Sequence, residues 1–114
     1  MVCFSGTSLS SLDLSNFDTS KVENMESMFS QTNNLITINL SSFNTSHVTN
    51  MRCMFARCTS LNNLNLKDFD TTNVTTMNYM FDNVTAQVII GTNWNPAMTE
   101  SATGYNGSFE VKSN

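Results

Sequence analysis

The chain has few side chains that could do chemistry. His47 is its single histidine, and Cys3, Cys53 and Cys58 are its three cysteines. A nucleophilic triad needs a base held between a nucleophile and an orienting acid. The repeat pattern described below aligns His47 with Lys21 and Asn73, in a column read as solvent-facing, so no triad is assembled around it. The cysteines lack the paired close spacing of a zinc site. A Cys53–Cys58 bridge would need Cα atoms within about 7 Å, and an odd cysteine count leaves at least one thiol free. Buried, inert thiols are the expected state. Asp18, Asn44 and Asp70 recur in one column, but a calcium loop needs denser carboxylates and a glycine. Capping of free backbone amides explains that column more simply. No catalytic residue, cofactor or metal site is expected, and an enzymatic reading is set aside.

Composition narrows the remaining classes. The chain has 114 residues, which allows one domain, a formal net charge of −4 and only five Lys plus Arg. Nucleic-acid binding needs a basic stripe that displaces counterions from phosphate, and none is present. Apolar residues make up 39% of the chain, too many for a disordered polar tract. No window approaches 18 apolar residues, so no membrane span is expected. The opening residues lack the basic and apolar regions of a signal peptide.

An internal repeat organises the sequence. Leu9, Leu35 and Leu61 open three copies at a spacing of 26 residues. Leu12, Ile38 and Leu64 align, as do Leu14, Leu40 and Leu66, and Phe17, Phe43 and Phe69. The register continues through Val22, Val48 and Val74, then Met25, Met51 and Met77. It closes on Met28, Met54 and Met80, followed by Phe29, Phe55 and Phe81. Apolar columns that persist between variable polar positions describe a packed interior beneath a tolerant exterior.

Each copy changes its apolar period midway. Leu12-Asp13-Leu14 alternates as a half-buried strand does. Val22, Met25, Met28 and Phe29 fall on one face at helical spacing. Asp18-Thr19-Ser20 and its equivalents stand between the halves as N-caps, and Ser20 with Glu23 fits a capping box. The expected unit is therefore strand, turn, short helix, turn. Neither element is stable alone, so the units must stack. The expected fold is an α/β, leucine-rich-repeat-type right-handed solenoid, with parallel strands on one face and helices on the other. It forms a single domain over residues 1–114: a partial unit at 1–8, repeats at 9–34, 35–60 and 61–86, and a degenerate capping unit at 87–114. In that last unit, Val88-Ile89-Ile90 can add a strand. Ala102, Tyr105 and Phe109 align with Val74, Met77 and Phe81 if two residues are inserted, and Trp94 can close the core.

The run Leu12-Asp-Leu-Ser-Asn-Phe-Asp-Thr-Ser-Lys-Val22-Glu-Asn-Met25-Glu-Ser-Met28-Phe29 resembles the BspA-like leucine-rich-repeat family of bacterial surface proteins. The likeness covers 9–86 well and 87–114 loosely. The Met-x-x-Met-Phe ending, with Cys58 shortly after its second copy, is its most specific part. The resemblance implies a right-handed solenoid displayed outside the cell, engaged in adhesion to host or neighbouring-cell proteins, and without enzymatic activity. It implies no set of binding residues that can be carried over. The chain opens in mid-repeat and is read as a segment of a longer protein.

Two faces are candidates for a partner. On the strand face, outward side chains are expected from Ser11, Thr37 and Asn63, then Asp13, Asn39 and Asn65, then Ser15, Ser41 and Lys67. This is the possible ligand-facing surface, because concave sheets of repeat proteins commonly bind. Substituting an outer residue such as Asn65 is expected to cost little stability. The helix face is expected to present Lys21, Glu23, Glu26, Arg52, Arg57, Asn73 and Asn78. The expected function is a non-enzymatic, cell-surface protein-binding module. The alternative is a structural spacer or a self-stacking segment that associates end to end.

Overall fold

A computed structural model describes residues 4–95 and 103–112. The strand half of each repeat forms as expected. The strands are β1 (Ser11–Asp13), β2 (Thr37–Asn39), β3 (Asn63–Leu66), β4 (Gln87–Ile90) and β5 (Phe109–Val111). All paired neighbours run parallel. Leu12 lies opposite Ile38, Leu64 opposite Val88, and Val88 opposite Phe109. The strands fall into two sheets, β1-β2 and β3-β4-β5. Between β2 and β3 the ladder is interrupted, although Asn62 still donates its amide to the Ile36 carbonyl at 3.1 Å.

The expected helices do not form, and the α/β reading is corrected: no helix occurs among the described residues. Where a helix was expected, the amides of Met25, Ser27, Phe29 and Gln31 donate to Asn50, Arg52, Met54 and Ala56 of the next coil, at 2.8–2.9 Å. Met51, Cys53, Phe55 and Arg57 repeat the pattern onto Thr76, Asn78, Met80 and Asp82. Intervening amides close tight turns instead, Met28 onto Met25 and Ser30 onto Ser27. Helical amides beyond the first turn would bond within the coil, four residues back. Here every second amide is used to join two coils.

This arrangement places residues in the left-handed region once per turn. Ser27, Cys53 and Tyr79 have φ of 57°, 56° and 57°, and Gln31, Arg57 and Asn83 have φ of 61°, 64° and 61°. An L-residue there costs roughly 1–2 kcal/mol. A helix of two turns is itself marginal in water, so a ladder shared with neighbouring coils outweighs it. Gly6, with φ of 75°, donates to Ser30 as Gln31 donates to Ala56. It therefore occupies the same column with the residue type best suited to it. Arg57 is exposed. Arg57→Gly is expected to raise unfolding stability by about 0.5–1 kcal/mol, the relief of strain less glycine's greater unfolded-state entropy. Urea denaturation checks this, and a fall in the midpoint would contradict the strain.

Stacked aromatic columns fill the interior. Phe4, Phe29, Phe55 and Phe81 follow one another with ring centroids 5.6, 5.4 and 6.0 Å apart and planes within 12° of parallel. Phe43 and Phe69 stack beside them at 6.4 Å. Met25, Met51, Met54, Met77 and Met80 are fully buried around the rings. The same side chains are buried as a helix would have buried them, by a different backbone.

The ends complete the stack unequally. Phe4 donates to Met28 as Phe29 donates to Met54, so residues 4–7 are the tail of a partial unit. At the other end Phe109 lies on β5 opposite Val88, in the strand column and not in the Phe81 column. Gly104 accepts the Asn83 amide as Asp82 accepts that of Arg57, so Tyr105 does not align with Met77 either. Ala102 lies outside the described residues. Trp94 is buried with its ring 6.3 Å from Phe81, as a closing residue should be.

Candidate binding surface

The strand-face residues are placed outward as their alternation requires. Ser11, Asp13, Thr37, Asn39, Ser41, Asn63 and Asn65 are exposed, while Ser15 and Lys67 are half-buried. Pairing sets Ser11 beside Thr37 and Asp13 beside Asn39. A shallow depression of about 310 Å³ lies over these four residues with Leu12 and Ile38. Asn63 and Asn65 belong to the second sheet. At the interruption, a crevice of about 200 Å³ is lined by Ile38–Ser41 on one side and by Asn65, Asp68 and Phe69 on the other. The surface is thus two short polar sheets with a seam, not one continuous sheet.

One of its columns has a structural duty that sequence reading did not assign. Asp13, Asn39 and Asn65 each accept the backbone amide two residues ahead, from Ser15, Ser41 and Lys67, at 3.0 Å. These Asx turns end each strand. Removing the Asn65 side chain therefore costs a turn hydrogen bond, about 1 kcal/mol, more than the small effect expected of an idle surface residue. Ser11, Thr37 and Asn63 remain as outward side chains at equivalent positions on their strands.

The column expected to cap helices forms the same device. Asp18, Asn44 and Asp70 accept the amides of Ser20, Ser46 and Thr72 at 2.9–3.0 Å. Asn24 and Asn50 do likewise for Glu26 and Arg52. A helix N-cap and a free Asx turn both use a short side-chain oxygen to accept a nearby amide. The local sequence signal is common to the two.

These bonds hold three carboxylates in their charged form. Hydrogen bonds from Ser15, Ser20 and Thr72 lower the pKa of Asp13, Asp18 and Asp70 respectively. A depressed folded-state pKa gives stability that is present above the unfolded value, about 3.9, and lost as pH falls through the folded one. The thermal midpoint is therefore expected to fall on acidification below about pH 4. Replacing all three by Asn, the residue the second repeat already uses, should flatten that fall. An unchanged acid profile in the triple variant would remove these residues from the explanation.

The interior holds the sites that sequence reading passed over. Thr19, Thr45 and Thr71 are 4%, 1% and 0% exposed. Thr45 Oγ1 donates to the Asp70 carbonyl at 3.0 Å and accepts the Asp70 amide at 2.8 Å. Thr19 grips both backbone groups of Asn44 in the same way. Thr71 reaches the carbonyl of Asn93 and the amide of Asn95. Each buried hydroxyl thus clamps its coil to the next. Recurrence of Thr at the centre of Asp/Asn-Thr-Ser/Thr was the available signal.

Away from the strands, an open groove of about 520 Å³ is lined by Ser20, Lys21, Glu23, His47, Thr49 and Asn73. Along it, His47 donates from Nδ1 to the Ser20 carbonyl at 2.9 Å, and Asn73 donates from Nδ2 to the Ser46 carbonyl at 2.7 Å. His47 is exposed, as expected, and it links two coils. Lys21, Glu23, Arg52, Arg57 and Asn73 are exposed, whereas Glu26 and Asn78 are half-buried. Asn50 Nδ2 donates to Glu26 at 2.9 Å.

Cys53 and Cys58 are free thiols. Cys58 is buried, with Sγ 3.1 Å from both the Thr32 hydroxyl and the Phe29 carbonyl. Burial pushes its pKa up, so the reactive thiolate is disfavoured. Cys53 is half-exposed, and Cys3 lies outside the described residues. Among the described residues, no three His, Cys, Asp or Glu side chains come together as a metal site. No described helix is long and apolar enough to cross a membrane.

Residues 2–113 match a family model described as "Mycoplasma protein of unknown function, DUF285". No curated protein and no solved structure matches the chain.

Proposed function

The chain belongs to the DUF285 family, and from that premise we propose that it is a non-enzymatic protein-binding repeat module of a cell surface. The observation that carries this reading is the strand face. Ser11 and Thr37 stand side by side on paired strands, flanked by Asp13 and Asn39. Their backbones are held by Asx turns at one end of each strand and by buried threonine clamps beyond. Such a surface presents small hydrogen-bonding groups at fixed spacing with little conformational entropy left to lose on binding. The Met-x-x-Met-Phe endings, whose phenylalanines form the central ring stack, support the finer likeness to BspA-like surface proteins and a place outside the cell.

The test is saturable binding of extracellular-matrix and host-surface proteins to the immobilised chain. Thr37→Arg, which fills the shallow depression, is expected to weaken such binding at least tenfold while leaving the thermal midpoint in place. Failure of the native protein to bind any of them saturably, or equal binding by Thr37→Arg, would overturn the reading.

A further inference from the structure

The coil that covers Phe81 is tied down at a few backbone points. Trp94, Tyr105 and Phe109 set their rings 6.3, 5.5 and 5.7 Å from that of Phe81. Asn106 donates its amide to the Val84 carbonyl at 3.0 Å, and the Ser108 carbonyl accepts the Val88 amide at 3.0 Å. The Tyr105 hydroxyl lies 2.7 Å from the carbonyl oxygens of both Ala86 and Ser108. Gly107 is the residue between the anchored Asn106 and Ser108. A Cβ on it would lie 2.5 Å from the Ala86 carbonyl oxygen and 2.7 Å from the Tyr105 ring. So close an approach of two backbones requires glycine.

That requirement creates a reactive pair. Asn106 is the chain's one asparagine that glycine follows. Both residues are exposed, and both lie ahead of β5. Among the described residues, no acceptor takes the Gly107 amide. A glycine amide has no side chain to shield it, and it is tethered beside the Asn106 carboxamide, so attack is intramolecular. Hydroxide removes the Gly107 amide proton, and the nitrogen bonds to Asn106 Cγ. The Cγ–Nδ2 bond breaks, and the departing nitrogen takes a proton from water and leaves as ammonia. Water then opens the cyclic imide. Opening at Cγ gives aspartate, and opening at the main-chain carbonyl gives isoaspartate. Nothing is oxidised or reduced.

We propose that Asn106 is a spontaneous modification site whose isoaspartate form releases the coil over Phe81. Isoaspartate routes the main chain through the side chain and adds one carbon between the anchors at Asn106 and Ser108. Gly107 is pressed against Ala86 and Tyr105, and a close-packed contact has no slack to absorb the insertion. The bonds of Tyr105 and Ser108 to the preceding coil are those that must give. The product also carries one more negative charge than a chain already at −4. The site is separate from the outward strand face, and the inference holds whether or not that face binds a ligand.

The test is to incubate the whole chain at mildly alkaline pH and separate the more acidic product by anion exchange. Enzymatic methyl labelling of isoaspartate, followed by peptide mapping, locates the modified residue. Trp94 is the single tryptophan, is buried, and lies 6.5 Å from Phe109, so its fluorescence reports on this coil. Label is expected at residue 106 ahead of every other asparagine, and the isoaspartate fraction should emit at longer wavelength than fresh protein. Asn106→Gln should form the product at least tenfold more slowly. Asn106→Asp gains the charge without the extra backbone carbon and should keep the emission of fresh protein. Circular dichroism verifies folding of both variants, which change an exposed position. Isoaspartate arising at residue 106 no sooner than elsewhere, an isoaspartate fraction with unshifted emission, or an equal shift in Asn106→Asp would each overturn the proposal.

Discussion

Phe55→Ala is expected to lower unfolding stability by about 3–5 kcal/mol, measured by urea denaturation. Phe55 sits at the middle of the ring stack, 5.4 Å from Phe29 and 6.0 Å from Phe81, and is 0% exposed. Truncation removes its own buried area and leaves a cavity between two rings that cannot close up, because each is tied to its coil by the inter-coil ladder. In a stack where coils contact only their neighbours, the central interface is lost from both sides. Phe17→Ala, at 39% exposed in the first coil, is expected to cost only about 1–2 kcal/mol, in line with its partial burial. Equal losses for the two variants would mean that the columns do not form the continuous core described above.

Thr45→Val should cost about 2–3 kcal/mol although it is nearly isosteric and more apolar. The substitution keeps the buried volume and removes the one group that satisfies both the amide and the carbonyl of Asp70. Thr45 is 1% exposed, so water does not replace the hydroxyl. Thr45→Ser keeps the oxygen and loses a methyl, and should cost about 1 kcal/mol. The order of the two variants is the diagnostic. If Val is tolerated better than Ser, the site is ordinary apolar packing and the clamp contributes nothing.

The same residue shows where sequence reading reached and where it stopped. Asp18-Thr19-Ser20 and its two equivalents were legible as amide-capping segments, and the Asx bonds they form are real. Their context was not legible, because an Asx turn and a helix N-cap need the same side chain at the same offset. The threonine between them looked like one more polar residue until the neighbouring coil placed an amide and a carbonyl around it. Likewise Val22, Met25, Met28 and Phe29 match a helix face, yet tight turns with Ser27 at φ of 57° turn Met25, Met28 and Phe29 into the same core. The strand face exposes Ser11, Asp13, Thr37, Asn39, Ser41, Asn63 and Asn65, while its Ser15 and Lys67 are half-buried. Its division into two sheets depends on hydrogen-bond geometry between β2 and β3 that no side-chain pattern encodes.

The repeat length, the apolar columns, their side-by-side stacking and the identity of the strand segments could all be read from residue types and spacing. Burying an apolar stripe is a demand that any backbone must meet, and the stripe is written in the side chains. Which backbone meets it was decided in three dimensions. A short helix bonds within itself only the amides beyond its first turn, whereas the observed ladder and turns satisfy them across coils at the cost of left-handed residues. That balance exists only once a neighbouring coil is present to accept the bonds.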